Sequence, residues 1–106
     1  MVKIVIQTKN HNYKAVFSEG HAEYAEAGED IVCSAISILL INTANAIEQF
    51  TDSFLGADSD DGVFSLVLTD HPDEKAKVLM DTLVLGLKSI EEEYGEEFVK
   101  LDYKEV

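Results

Sequence analysis

The segment from Gly20 to Ser37 constrains this chain more than any other part of its sequence. It joins an alternating apolar segment to a long apolar segment with helical spacing, and it contains the chain's single cysteine, Cys33. His21 precedes Cys33 by twelve residues. Because strands alternate with a period of two and helices with a period of 3.6, we predict that His21 ends a strand and that Cys33 lies in the first turn of a helix.

Asp30 is a good N-cap residue, which makes Cys33 the third residue of that helix. The sulfur is then expected near free backbone N–H groups at the positive end of the helix dipole, where a thiolate is favoured. The dipole contributes only about 0.3–1 kcal/mol and the acidic chain opposes it, so reactivity near neutral pH requires a protonated His21 nearby. Ser37 shares a helix face with Asp30 and Cys33 and can donate a hydrogen bond toward the sulfur.

A second interpretation fits the same residues. Free cysteine behaves as a small hydrophobic side chain, so Cys33 is equally compatible with an inert position in a buried apolar helix. A cysteine and a histidine in one short chain are by themselves a weak signal for catalysis.

The loop after His21 is long enough to bring the imidazole back onto the thiol. Gly20 and Gly28 flank this loop, which also contains Ala22 and Tyr24, and the two glycines are candidate hinges of a lid over the reaction centre. An ordinary flexible connection has the same composition.

The charge balance restricts the possible partners. Twenty-one acidic and eight basic residues give a formal net charge of −13. Such a surface repels nucleic acid and anionic membranes and favours basic partners, although it also serves solubility alone.

We find no signal segment after Met1 and expect no apolar run long enough to span a bilayer. The single cysteine excludes an internal disulfide, so we expect a reduced, cytoplasmic location.

The pattern of apolar residues predicts six elements in the order ββαβαβ. The length of 106 residues allows one domain, residues 1–106, with one modest core. Two strands joined by a turn at residues 10–12 precede a helix over residues 31–50. A strand over 63–69, a second helix capped by Asp70 or His71, and a strand over 98–103 follow. We expect an α+β, two-layer α/β fold, with a four-stranded mixed sheet and two helices packed on it.

Three further features of the sequence bear on function. The first helix is apolar on more than half of its circumference, so the second helix or another subunit must cover the surplus. Residues 58–62 superficially resemble a calcium loop but lack its spaced ligands and terminal glutamate, and we interpret them as a polar turn. His71 has no second histidine or cysteine nearby, so we expect no metal site.

Around His21 and Cys33, the chain resembles the ribosomal-processing cysteine protease (Prp) family. The family pattern is Gly-His-Ala, a short variable loop, Gly-x-Asp-Ile-Val-Cys and a serine four residues later. Residues 20–22, 28–33 and Ser37 match it, and further resemblance covers residues 45–47 and 90–94. The resemblance therefore spans essentially the whole chain.

The resemblance implies a homodimeric cysteine endopeptidase that removes a short N-terminal extension from a large-subunit bacterial ribosomal protein, cutting after aromatic residues. It implies a catalytic dyad of His21 and Cys33 and no metal or organic cofactor. Backbone N–H groups at the helix start are expected to stabilise the oxyanion. The expected supporting residues are Asp30 and Ser37, and the expected substrate-loop residues are Gly20, Ala22, Tyr24 and Gly28. The partner is then a basic ribosomal protein and neither nucleic acid nor a membrane.

Two other functions remain open at this point. One is a ribosome-associated binding or assembly factor in which Cys33 does no chemistry. The other is a different small thiol enzyme, such as an acyl transferase or a redox protein, although the absence of a resolving cysteine weakens the redox alternative.

Overall fold

The computed structural model describes residues 1–26 and 30–106 and has a two-layer α+β fold. Its elements are β1 (Val2–Lys9), β2 (Asn12–Glu19), α1 (Ile31–Phe50), β3 (Phe54–Asp60), β4 (Val63–Leu68), α2 (Glu74–Tyr94) and β5 (Val99–Glu105). The strands form one mixed sheet in the order β3-β4-β2-β1-β5. Only the β1–β5 pair is parallel, and the other pairs are antiparallel.

The hairpin of β1 and β2 forms as predicted. Asn10 and His11 make its turn with φ angles of 51° and 67°. Positive φ at both central residues gives a turn whose twist matches the right-handed twist of the flanking strands, and asparagine tolerates that conformation well. The register places Ile4 opposite Ser18 and Ile6 opposite Val16, so the apolar face of β1 continues across β2.

The predicted number of four strands was wrong, because β3 adds a fifth and changes the order to ββαββαβ. β3 pairs with β4 at the edge of the sheet, and most of its side chains are exposed. An edge strand with little burial lacks the apolar alternation that identifies a half-buried strand in a sequence. Residues 58–62, which we interpreted as a polar turn, are in fact the end of β3 and a turn formed by Asp61 and Gly62.

The core lies between one face of the sheet and the two helices. The buried core side chains of the strands include Val2, Ile4, Ile6, Val16, Phe64, Leu66, Leu68, Val99 and Leu101. Those of the helices include Val32, Ile36, Leu40, Ala44, Ile47, Met80, Leu83 and Leu87. The helices approach closely at Gly86, where an added Cβ would lie 3.0 Å from Cδ1 of Leu39.

The helix ends were predicted with mixed success. α1 spans the predicted residues, and α2 ends at a glycine, Gly95, with φ of 101°. The predicted caps of α2, Asp70 and His71, were wrong: the N-cap is Asp73, whose carboxylate accepts from the Ala76 N–H. A tertiary contact favours this start, since the Asp73 N–H donates to the Ser53 hydroxyl.

Helix α1 is unusually apolar. It is 20 residues long with a mean hydropathy of 1.6, so by length and composition alone it could cross a membrane, and our expectation that no apolar run reaches that length was wrong. The core helix of a folded domain meets the same criterion, and one face of α1 does pack into this core. Outside the core, Ile31, Ile38 and Ile41 remain 55%, 67% and 45% exposed.

The core position Leu66 supplies a test of this packing. Leu66 is fully buried on the internal strand β4, so Leu66→Ala is expected to lower the free energy of unfolding by about 2–5 kcal/mol. Leu55→Ala is the matched control, because Leu55 is 63% exposed, and it should change stability by no more than about 0.5 kcal/mol. Urea unfolding measures both variants, and equal losses would contradict the core described above.

Candidate active site

Asp30 connects the start of α1 to the loop that follows His21. As predicted, Asp30 is the N-cap: its Oδ1 accepts from the N–H groups of Val32 and Cys33, at 2.9 and 3.0 Å. Its Oδ2 accepts from the N–H of Tyr24 at 2.9 Å, which ties the loop to the helix. Asp30 is buried, and no hydrogen bond or ion pair with His21 is found in the described part of the chain.

These hydrogen bonds keep the carboxylate ionised. Burial alone would raise the pKa of Asp30, but four backbone N–H groups outweigh it and hold the pKa of this carboxyl below its ordinary value. The four donors are those of Cys33, Tyr24, Ala25 and Val32. A buried anion therefore lies at the N-terminal end of α1, where the helix dipole favours negative charge.

The sulfur of Cys33 is partly buried. Its backbone hydrogen-bond donor comes from the loop after His21, and not from the start of α1 as predicted. Sγ accepts from the N–H of Ala22 at 3.1 Å, and Ala22 itself is buried. At the helix start, the N–H groups of Val32, Cys33 and Ser34 all donate to oxygens of Asp30. For these three donors the expectation of free N–H groups was wrong, since the cap residue already uses them.

His21 follows the end of β2, as predicted, and its imidazole is 61% exposed. Nε2 lies 3.8 Å from Oδ1 of Asp61, in the turn between β3 and β4. The ring also lies against Gly62, where an added Cβ would be 2.8 Å from Nε2. No hydrogen bond between the imidazole and Sγ is present among residues 1–26 and 30–106.

A single cavity of about 220 Å³ nevertheless contains both groups. His21, Cys33 and Ser37 line it together, and their predicted roles in a reaction stay predictions. Its apolar lining consists of Val2, Ile36, Leu40, Ile41, Val63 and Phe64, and its acidic lining consists of Asp60 and Asp61. The hydroxyl of Ser37 is exposed and makes no described hydrogen bond to sulfur, so its orienting role stays a prediction.

The other predicted loop residues have distinct positions. Gly20 has φ of 102°, and an added Cβ would lie 2.4 Å from the Met1 carbonyl oxygen, so the chain path requires glycine here whether or not it is a hinge. The ring of Tyr24 makes edge-to-face contacts with Tyr94 and Phe98, at centroid distances of 5.3 and 5.2 Å. These contacts hold the loop against the end of α2. Gly28 lies outside the described residues, and its predicted role stays a prediction.

The sequence analysis missed Asp61 and Gly62 as neighbours of His21. An Asp-Gly pair between two strands is a typical hairpin turn, and that signal was present. Because β3 was not predicted, nothing indicated that this turn would reach the end of β2. No group of three or more histidine, cysteine or acidic side chains suitable for a metal ion occurs in the described part of the chain.

Comparison with known proteins extends over nearly the whole chain. A family model described as Cysteine protease Prp matches residues 1–99. The Ribosomal processing cysteine protease Prp of Staphylococcus aureus is 36% identical over 91 residues, which cover 84% of this chain and 85% of that protein.

Two crystal structures of the ribosomal processing protease Prp from S. aureus have the same fold. The complex with a covalently linked product peptide has a TM-score of 0.90 and 33% identity, and the complex with a substrate peptide has a TM-score of 0.84 and 32% identity. Each match covers 98% of this chain and 100% of the S. aureus chain.

The hydrogen bonds of Asp30 predict a specific pH dependence. Because its pKa is lowered in the folded protein, Asp30 stabilises the fold at neutral pH, and this contribution is lost as the pH falls through that lowered pKa. Asp30→Asn should lower the free energy of unfolding by about 1–2 kcal/mol at pH 7 and by less at pH 3. Urea unfolding at both pH values checks this. A constant loss at both pH values contradicts the prediction, and Asp58→Asn, which removes an exposed carboxylate from β3, is the control.

Proposed function

This chain belongs to the Cysteine protease Prp family and is a cysteine protease, and we propose that it processes a ribosomal protein with a catalytic dyad of Cys33 and His21. The observation that supports the dyad most directly is the shared cavity, because α1 and the end of β2 bring thiol and imidazole to one solvent-accessible space. We further propose that residues 1–106 act as one protease domain.

The proposed reaction uses only these two side chains and water. The imidazole of His21 removes the proton from the thiol, and the thiolate attacks the scissile carbonyl carbon to form a C–S bond. The C–N bond then breaks as His21 returns the proton to the leaving amine. Water hydrolyses the resulting thioester, with His21 accepting a proton from that water, and frees Cys33. None of these steps requires a metal or an organic cofactor.

The N–H of Ala22 is the best-placed donor for the developing oxyanion. It already lies 3.1 Å from Sγ, whereas the N–H groups at the start of α1 are occupied by Asp30. When sulfur bonds to the carbonyl carbon, the carbonyl oxygen enters the space beside Sγ, within reach of this fixed donor. Asp30 supports the arrangement indirectly, since its bonds to Tyr24 and Cys33 fix the loop beside the helix.

The cavity fits an apolar side chain next to the bond that is cut. Its apolar wall combines branched and aromatic side chains, among them Ile36, Leu40 and Phe64. An aromatic ring buries a large apolar area in such a space, which supports cleavage after an aromatic residue. Ser37 lies on the same wall and can donate a hydrogen bond to the bound peptide or to sulfur.

The charge of the chain supports a basic ribosomal protein as the substrate. The net charge is −13, and Asp60 and Asp61 line the cavity. Opposite charge accelerates the encounter with a basic protein, whereas the same surface repels nucleic acid and anionic membranes. We therefore propose that the N-terminal extension of a large-subunit ribosomal protein is the target, that no nucleic acid or membrane is bound directly, and that the reaction takes place in the cytoplasm.

The proposal is tested with a ribosomal protein that carries its intact N-terminal extension. Mass spectrometry should detect a cut after an aromatic residue, with no cleavage by Cys33→Ala and a rate about 10²–10⁴-fold lower for His21→Ala. His71→Ala is the matched control, because His71 is exposed at the loop before α2, and it should retain the wild-type rate. Cleavage by Cys33→Ala equal to wild type would mean that a contaminant protease cuts the substrate, and an unchanged substrate mass with wild type would favour an assembly factor.

A homodimer is proposed from the exposed side of α1. Ile31, Ile38 and Ile41 are exposed there, and α1 contains no charged residue before Glu48. A contiguous uncharged helix surface of this kind is typical of a subunit interface.

Sedimentation of the wild-type protein should therefore give the mass of a dimer. Ile38→Asp should give a monomer, since it places a charge in the proposed interface. Val106→Asp, at the exposed C-terminal residue beside Thr8, should sediment as wild type. A monomeric wild-type protein contradicts the dimer.

A further inference from the structure

The turn between β3 and β4 contacts the imidazole of His21, and we propose that Asp61 in this turn is the positioning residue that orients His21 for the reaction at Cys33. This inference rests on the proposed function, because it assigns a third member to the proposed dyad. Asp61 acts through His21 and does not itself touch the reacting atoms.

The first observation is the charge contact. Oδ1 of Asp61 lies 3.8 Å from Nε2 of His21, and no other carboxylate in the described part of the chain lies within 4 Å of the imidazole nitrogens. Asp60 lines the same cavity without such a contact, and the buried Asp30 uses its carboxylate on backbone N–H groups.

The second observation is that the turn is fixed against the residue that precedes His21, just beyond the end of β2. The N–H of Gly20, the residue before His21, donates to the carbonyl oxygen of Gly62 at 2.8 Å. Gly62 has φ of 71°, and an added Cβ would lie 2.8 Å from Nε2. The positive φ favours glycine at this position, and the imidazole ring lies directly against the Gly62 backbone. The backbone bond from Gly20 to Gly62 therefore keeps the Asp61–Gly62 turn beside His21, whatever the charges of the two side chains.

The chemical consequence follows from the two nitrogens of the ring. Nε2 faces Asp61, so Nδ1 is the nitrogen left to exchange a proton with Cys33. A carboxylate beside Nε2–H favours the tautomer that leaves Nδ1 unprotonated, and it stabilises the imidazolium after the thiol proton has been transferred.

The contact is weak in the free protein and is expected to strengthen when substrate binds. At 3.8 Å it exceeds a hydrogen bond, and the Asp61 side chain is 93% exposed, so water screens the charges. A peptide in the cavity excludes part of that water, and the lower local dielectric strengthens the attraction. Asp61 should therefore affect the chemical step more than substrate binding.

The test compares Asp61→Asn, Asp61→Glu and the control Asp58→Asn. Asp58 is an exposed carboxylate on β3, so Asp58→Asn removes the same charge from the same strand end and reproduces any general loss of attraction to a basic substrate. The substrate is a quenched fluorescent peptide that spans the N-terminal extension of the ribosomal protein. Wild type, Cys33→Ala and His21→Ala are measured in parallel, so that failure of the proposed function is recognised separately.

Asp61→Asn should lower kcat roughly tenfold and change KM less than about twofold, relative to Asp58→Asn. Asp61→Glu should recover most of the rate, because a longer carboxylate still reaches Nε2. A kcat equal to that of Asp58→Asn overturns the inference while the dyad stands. A change confined to KM also overturns it, since Asp61 would then bind a cationic group of the substrate.

Thiol alkylation keeps the inference testable if the peptide is not cleaved. Iodoacetamide reacts with the thiolate, so removal of the charge that stabilises the imidazolium should slow alkylation of Cys33 near neutral pH. Because water screens the contact in the free protein, Asp61→Asn should be alkylated only about twofold more slowly than Asp58→Asn. Equal alkylation rates for the two variants overturn the positioning role, whatever the peptide assay shows.

Discussion

The buried carboxylate of Asp30 is the constraint on which the arrangement of this site depends. One oxygen caps α1 through Val32 and Cys33, and the other holds the N–H of Tyr24. A single side chain therefore connects a helix that packs in the core to the loop segment that contains Tyr24. Because the hydrogen bonds to this anion are charge-assisted, they tolerate its burial, and the anion keeps the loop beside the sulfur.

This constraint also determines which donors remain for chemistry. A helix start usually offers free N–H groups to an anion, but here the cap residue occupies them. The donor next to the sulfur is instead the N–H of Ala22, which lies in the loop directly after His21. The residue that supplies the imidazole and the residue that supplies the nearest backbone donor are thus consecutive, so any movement of this loop changes both at once.

The imidazole, in contrast, depends on the sheet. β2 ends beside the turn of Asp61 and Gly62, and the bond from Gly20 to Gly62 keeps the two together. Two different parts of the fold therefore position the two groups. The thiol depends on α1 and its cap, and the histidine depends on the end of β2 and the β3–β4 turn. The cavity between them has an apolar wall, mainly from α1 and β4, and acidic residues from the end of β3 and its turn.

Local pattern was enough to determine α1 from Ile31 to Phe50, its cap at Asp30 and the β1–β2 hairpin. These features depend on interactions a few residues apart, which a sequence displays directly.

Only the tertiary structure decided that β3 joins the sheet edge and that its turn reaches His21. A strand at the edge of a sheet is held by backbone hydrogen bonds to a neighbouring strand. When its side chains are mostly exposed, its sequence lacks the apolar alternation by which strands are predicted. Asp61 and Gly62 could not be predicted as neighbours of the imidazole for the same reason. They are about forty residues from His21 along the chain and become adjacent to it only after β3 and β4 have paired.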